Sequence, residues 1–185
     1  MKWKQWIRTL AALRLVFSCA GEFSRLLGGA SVVFLWDQLF KHSIDAEPEE
    51  NFPRELPLGR GRVGIVRAHN RGFSQGRLEH FPEFVRLFSF GLTAFLAGVM
   101  QAYCMVFPRK HRIEKLGAML LLGGAISNTY DRIAHGFVTD YLHIRVGALK
   151  KSIVNLGDIA ITGGMAVYLL GTLLSLLRGE DHGEA

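Results

Sequence analysis

The chain has 185 residues, 49% of them hydrophobic and 21% charged, with a formal net charge of +6. That length is one domain's worth, and so much apolar content beside so much charge fits charged loops joining apolar spans better than an ordinary soluble domain. A basic balance suits nucleic acid or an anionic membrane surface, but no nucleic-acid motif occurs and the apolar runs favour the membrane.

Residues 1–20 combine Lys2, Lys4, Arg8 and Arg14 with Trp3, Trp6, Leu10, Leu13 and Phe17 at helical spacing. This predicts a basic amphipathic helix lying on the cytoplasmic leaflet. Arg14 and the bulky Phe17 count against a cleaved signal peptide. A first span follows over residues 21–40, with Glu22 and Arg25 on one face at its start, placed to pair or to snorkel. Its far end reads WDQLFK, so Asp37 and Lys41 are four apart and face the same way. Both an end-of-helix ion pair and an acid bracing a site at that membrane face fit this spacing.

Residues 42–83 are polar and carry the acidic run DAEPEE. Within them RVGIVRAHNRGF suggests a short strand, and Asn70 with Gly72 a turn or bulge. A second span occupies residues 84–107. The basic loop PRKHRIEK follows, with Arg109, Lys110, Arg112 and Lys115. The third span, residues 116–132, is rich in glycine and alanine, which permits close helix approach. An outer loop over residues 133–151, a fourth span over 152–177 and an acidic tail over 179–185 complete the chain. Cys19 and Cys104 lie far apart in apolar surroundings and read as packed thiols, not as a disulfide framework. The lysine and arginine clusters place both termini and the 108–115 loop in the cytoplasm, and the 42–83 and 133–151 loops outside. The expected fold is therefore an all-α integral membrane protein. It has four transmembrane helices over residues 21–178, a small extracytoplasmic β-containing loop and an N-terminal amphipathic helix.

Ionisable groups in apolar segments are costly, and their default reading is functional. Asn128, Asp131 and Arg132 fall at i, i+3 and i+4, on one face at the outer end of the third span. Asn155 and Asp158 are three apart at the outer start of the fourth, and Asp140 follows GFVT in the outer loop. With Asp37, four separate pieces of chain deliver polar groups to one plane. No Ser or Cys sits in a nucleophile motif. His135 and His143 are eight residues apart with no ligand signature, so no metal and no cofactor is expected. Paired carboxylates remain. Two close aspartates share a proton, so one can activate water while the other polarises a carbonyl. A buried ion-pair network is the competing reading, and Arg132 with Asp131 would satisfy it. Asp140 and Asp158 have no obvious basic partner, which favours catalysis for those two.

These residues match a known pattern. The sequence resembles signal peptidase II, the bacterial lipoprotein signal peptidase family. WDQLFK is similar to its D-Q-x-x-K, NRGF to its N-x-G block, SNTYDR to its N-x-x-D-R, FVTDY to its V-V-D-F, and VNLGD to its F-N-x-A-D. The resemblance implies a membrane aspartic endopeptidase that removes the signal peptide from diacylglyceryl-modified prolipoproteins, just before the lipidated cysteine. It implies a catalytic pair of Asp140 and Asp158. Support and substrate binding would come from Asp37, Lys41, Asn70, Asn128, Asp131, Arg132 and Asn155. The implied setting is the bacterial cytoplasmic membrane, with the site at the extracytoplasmic face, a monomer, and lipidated prolipoproteins and membrane lipid as partners. The sequence departs from the family in NRGF being followed by SQGRL, in a longer and more acidic outer loop, and in Gly157 where alanine is usual. A non-catalytic membrane protein of the same fold that binds lipidated peptides is the alternative. A small transporter fits less well, since a conduction path needs polar groups at several depths.

Overall fold

The computed structural model describes residues 2–59, 61–73, 76–106, 111–147, 150 and 152–178, with side chains from residue 20 onward apart from residue 58. Helix α1 (Lys2–Ala46) runs unbroken through both the expected surface helix and the expected first span. No proline falls within it, so nothing stops the helix near residue 20. At about 1.5 Å per residue its 45 residues reach well beyond a hydrocarbon core of about 30 Å.

Helices α2 (Pro82–Val106), α3 (Arg112–Ala134) and α4 (Leu156–Leu177) complete the bundle. Two of the four, α2 and α4, are long and apolar enough to cross a membrane. Only 17% and 22% of their apolar stretches are buried, so these faces point outward, the reverse of a soluble core helix. Phe95 is 67% exposed and Leu169 58%. Among the described residues α1 and α3 do not meet the same apolar criterion, because both carry buried polar and charged groups.

Helix α3 is the hub, packing most extensively on α4, then on α1 and α2. The α3–α4 contact is backbone on backbone. A Cβ added to Gly117 would lie 2.5 Å from the Tyr168 nitrogen, and one on Gly164 2.5 Å from the Leu121 nitrogen. Small residues thus let the helices close up, as the sequence predicts for this span. Leu26, Ala30, Met100, Cys104, Ala118 and Leu122 form the apolar core where α1, α2 and α3 meet. Cys104 is a buried free thiol. The side chain of Cys19, the basic residues Arg109 and Lys110, and the 179–185 tail lie outside the described residues.

Four short antiparallel strands form one sheet in the order β1 (Arg54–Glu55), β2 (Val63–Asn70), β3 (Val138–Ile144), β4 (Ile153–Val154). The first loop supplies the expected strand, but β3 and β4 come from a stretch read as loop and helix start. VTDYLHI has β-branched and aromatic residues fit for a strand. The register shifts between Ile65 and Ala68, after which Ala68 pairs with Asp140 and Asn70 with Val138. A one-residue slip exchanges the faces of a strand, so this bulge decides which β2 side chains share a face with Asp140.

Candidate active site

Asp140 sits in mid-strand on β3 and is 5% exposed. Its Oδ2 accepts from Asn70 Nδ2 at 3.2 Å and its Oδ1 from Asn155 Nδ2 at 2.7 Å. Asn70 is two residues beyond Ala68, which lies directly opposite Asp140, so it reaches across the ladder diagonally. Burial, then the nearby Asp158 charge, push the Asp140 carboxyl up to about 7, against the pull of the two asparagine amides and Lys41.

Asp158 is delivered by a helix cap. Helix α4 begins at Leu156, not at residue 152, because Asn155 is its N-cap. The Asn155 side chain accepts from the Asp158 backbone N–H at 2.8 Å, and Asp158 Oδ2 accepts from the Asn155 backbone N–H at 3.3 Å. This reciprocal capping box satisfies two orphan donors of the first turn. The spacing of Asn155 and Asp158 is therefore that of a cap, not of two neighbours on one helix face. Asp158 Oδ1 accepts from Asn128 Nδ2 at 2.8 Å. Each of the four oxygens of Asp140 and Asp158 thus meets an N–H donor, and Asn155 touches both carboxyls. Tyr141 closes the corner, its hydroxyl accepting from the Leu156 N–H at 3.2 Å.

Beneath this pair lies a charged layer between α1 and α3. Lys41 Nζ meets Asp37 Oδ2 at 2.6 Å and Asp131 Oδ2 at 2.8 Å, and all three side chains are at most 3% exposed. Its third contact is Asn128 Oδ1 at 2.9 Å. An ammonium group only donates. Lys41 therefore fixes the Asn128 amide with its oxygen inward and its nitrogen toward Asp158. Asp37 and Lys41 form the ion pair that their spacing allows, and Lys41 also contacts Asn128, the donor to Asp158.

Two residues without an expected role belong to this layer. Gln38 Nε2 donates to Asp131 Oδ1 at 2.8 Å, and Ser127 Oγ donates to Asp37 Oδ2 at 2.6 Å. Gln38 stands inside the quoted WDQLFK motif and Ser127 directly before Asn128, so the signals were adjacent to residues already singled out. The Arg132–Asp131 pair is replaced. Asp131 turns to Lys41 and Gln38, while Arg132 donates to the Asn128 carbonyl at 3.2 Å and the Gly72 carbonyl at 3.1 Å. Consecutive helix residues point about 100° apart, so the two side chains diverge. The Arg132 guanidinium lies over the Phe73 ring at 5.4 Å and within electrostatic reach of Asp158 and Asp140. Arg132 Nε is buried with no partner among the described residues. His135 and His143 part company: the first stands 3.9 Å from Asp131 Oδ1, the second 3.1 Å from the Lys150 carbonyl.

The family described as signal peptidase (SPase) II matches residues 30–174. The chain is 32% identical over 163 residues to a lipoprotein signal peptidase of Burkholderia ambifaria, covering 87% of this chain and 94% of that protein. It is 35% identical over 121 residues to one of Methylocella silvestris, covering 65% and 69%. Its fold is similar to that of a bacterial membrane enzyme solved at 2.3 Å by the in meso method, with a TM-score of 0.67, 21% identity, and coverage of 86% of this chain and 93% of that one. A match that spans nearly all the elements carrying the carboxylates leaves one conclusion: the chain belongs to the signal peptidase II family.

Proposed function

We propose that this protein is a lipoprotein signal peptidase that works as an aspartic endopeptidase, with Asp140 and Asp158 as the catalytic pair. It removes the signal peptide of a diacylglyceryl-modified prolipoprotein just before the lipidated cysteine. The observation that carries this reading is Asn155, which donates its side-chain amide to Asp140 and its backbone N–H to Asp158. One residue thereby holds two buried carboxyls from different elements in a common frame.

In that frame the pair carries one proton near neutral pH. The ionised carboxylate takes a proton from water as the water attacks the scissile carbonyl, and the protonated partner polarises that carbonyl. The proton belongs to the pair. Toward the two carboxyls Asn70, Asn128 and Asn155 act only as donors, so they orient both carboxyls and stabilise the negative one. Lys41 holds Asn128 in that orientation and supplies a buried positive charge within electrostatic reach of the pair. Arg132 ties the Gly72 turn to α3 and adds a second cation close to the developing oxyanion.

All four helices cross the bacterial cytoplasmic membrane, with both termini inside, the sheet outside and residues 21–178 as the peptidase unit, active as a monomer. The outward apolar faces of α2 and α4 and the basic clusters of the sequence support this topology. Incubating the purified protein with a diacylglyceryl-modified prolipoprotein tests the activity. Cleavage at the cysteine by the natural protein, lost in D140N and in D158N, is the expected result. Binding of the substrate without cleavage would favour the non-catalytic reading.

A further inference from the structure

A cavity of about 220 Å³ opens beside Asp140 on the sheet side of the site. Its floor is the face of the sheet shared by Ala68, Asn70 and Asp140, and it is hollow because the residue opposite Asp140 is only an alanine. The 76–79 turn forms its far side, contributing Gly76 and Glu79. Gly76 has φ +75, and a Cβ there would come within 3.2 Å of Glu79 Oε2. The turn therefore brings the carboxylate over against a position where a side chain is disfavoured. His69 forms another wall and is fixed there, by Asp45 at 3.1 Å and by stacking on Phe137 at 4.1 Å.

Charge singles out Glu79. Asp45, Glu47, Glu49, Glu55 and Glu83 of the outer region each have a basic partner within 4.0 Å. Among the described residues Glu79 has none, and it faces the same cavity as Asp140. Glu50 also lacks a partner but does not line this cavity. A space for one side chain, bounded by an exposed carboxylate with no basic partner among the described residues and by a second acid, favours a cation, because a charge-assisted hydrogen bond to a carboxylate is stronger than a neutral one.

We infer that this cavity is a specificity subsite for a lysine or arginine side chain of the substrate, positioned just after the lipidated cysteine, with Glu79 as its recognition residue. The inference rests on the proposed peptidase function. The membrane-embedded signal peptide reaches the dyad from the helices, so the chain beyond the cysteine leaves toward the sheet, where the cavity lies.

The test uses the full-length protein in detergent and synthetic diacylglyceryl-cysteine peptides identical except for Lys, Gln or Glu at the first or second position after the cysteine. The expected order of kcat/KM is Lys over Gln over Glu at one of these positions, with Lys favoured about fivefold or more over Gln. In E79Q the Lys/Gln ratio should fall close to one, and in E79K the Lys/Glu order should invert. Each ratio is taken within one preparation, so partial misfolding cancels. Equal cleavage of all three peptides by the natural protein, or a Lys preference that survives E79Q, overturns the subsite while leaving the peptidase reading intact. Cleavage of none of them overturns the peptidase reading, and the subsite with it.

Discussion

The two ends of the helix bundle both bury charge, and they balance it differently. At the end away from the sheet, Glu22 pairs with Lys115 at 2.8 Å and also with Arg25. Glu114 accepts from Ser175 Oγ at 2.6 Å and meets His111 Nδ1 at 2.9 Å. Each acid there has a basic or hydroxyl partner drawn from the same cluster. At the sheet end, four aspartates (37, 131, 140 and 158) share two cations. Lys41 is spent on Asp37 and Asp131, and Arg132 bonds carbonyl oxygens. Asp140 and Asp158 are left with amide donors only. A neutralised cluster fastens helices together, whereas an excess of buried carboxylate is the condition for a shared proton.

The largest expected effect removes that excess. D140N and D158N should each lower kcat by at least about a thousandfold, and the double variant should fall no further, since residues acting as a unit are not additive. Measured turnover of a lipidated substrate decides this. Substantial cleavage by either single variant would move the chemistry elsewhere.

Next come the two buried lysines. Lys41→Met leaves Asp37 and Asp131 buried without their cation and should cost roughly 3–5 kcal/mol of stability, together with most activity, because Asn128 loses the group that orients it. Lys115→Met leaves Glu22 with Arg25, which is largely exposed. It should destabilise by a smaller amount, on the order of 1–3 kcal/mol, and keep kcat per folded molecule. Thermal unfolding in detergent alongside turnover separates the two. Equal retention of kcat in both variants would mean that Lys41 only fastens helices.

Burial also makes Asp140 a liability to stability. Its folded-state carboxyl titrates about 7, above the ordinary 3.8, so between those values the folded state holds a proton that the unfolded state has lost. Unfolding stability therefore falls as pH rises through this window, and the loss is complete above about 7. D140N lacks this component. Its melting temperature should gain on that of the natural protein between pH 5 and pH 8, the reverse of the usual stabilising carboxylate. An identical difference at both pH values would place Asp140 in a solvated setting.

Much of this site was legible because the chemistry is local in sequence. WDQLFK puts Asp37 and Lys41 on one helical face, and they do pair. The absence of an obvious basic partner for Asp140 and Asp158 in the sequence is matched by their direct hydrogen bonds, which come from amide N–H groups alone. Features that depend on how elements meet were not legible. The Arg132–Asp131 expectation ignored that adjacent helix residues diverge. Ser127 and Gln38 look like ordinary polar residues until α1 and α3 face each other. The strand at Val138–Ile144 was hidden by the aspartate in its middle, and the pairing of Ala68 with Asp140 depends on a bulge that composition does not announce. The start of α4 was recoverable: Asn155 and Asp158 carry a cap signature, but their apolar flanks read equally well as helix.

The smallest effect concerns Gly157, which stands where alanine is usual in the family pattern. A Cβ at this position would lie 2.8 Å from Asp37 Oδ2, 3.0 Å from Asn155 Oδ1 and 3.3 Å from Asn128 Oδ1. All three atoms end side chains, so the site can yield, but none is idle. Asp37 Oδ2 already binds Lys41 and Ser127, Asn155 Oδ1 caps α4, and Asn128 Oδ1 holds Lys41. Against this crowding stands the gain of about 1 kcal/mol that alanine brings over glycine inside a helix, less in a first turn. Overpacking of a tight core costs typically about 1–3 kcal/mol, so Gly157→Ala should be destabilising by a small margin, about 1 kcal/mol. Because the displaced atoms orient Asn128 and Asn155, kcat should fall severalfold with KM nearly unchanged. A rise in melting temperature with full activity would show that the charged layer has slack for a methyl group, and that the glycine contributes nothing to the geometry of the pair.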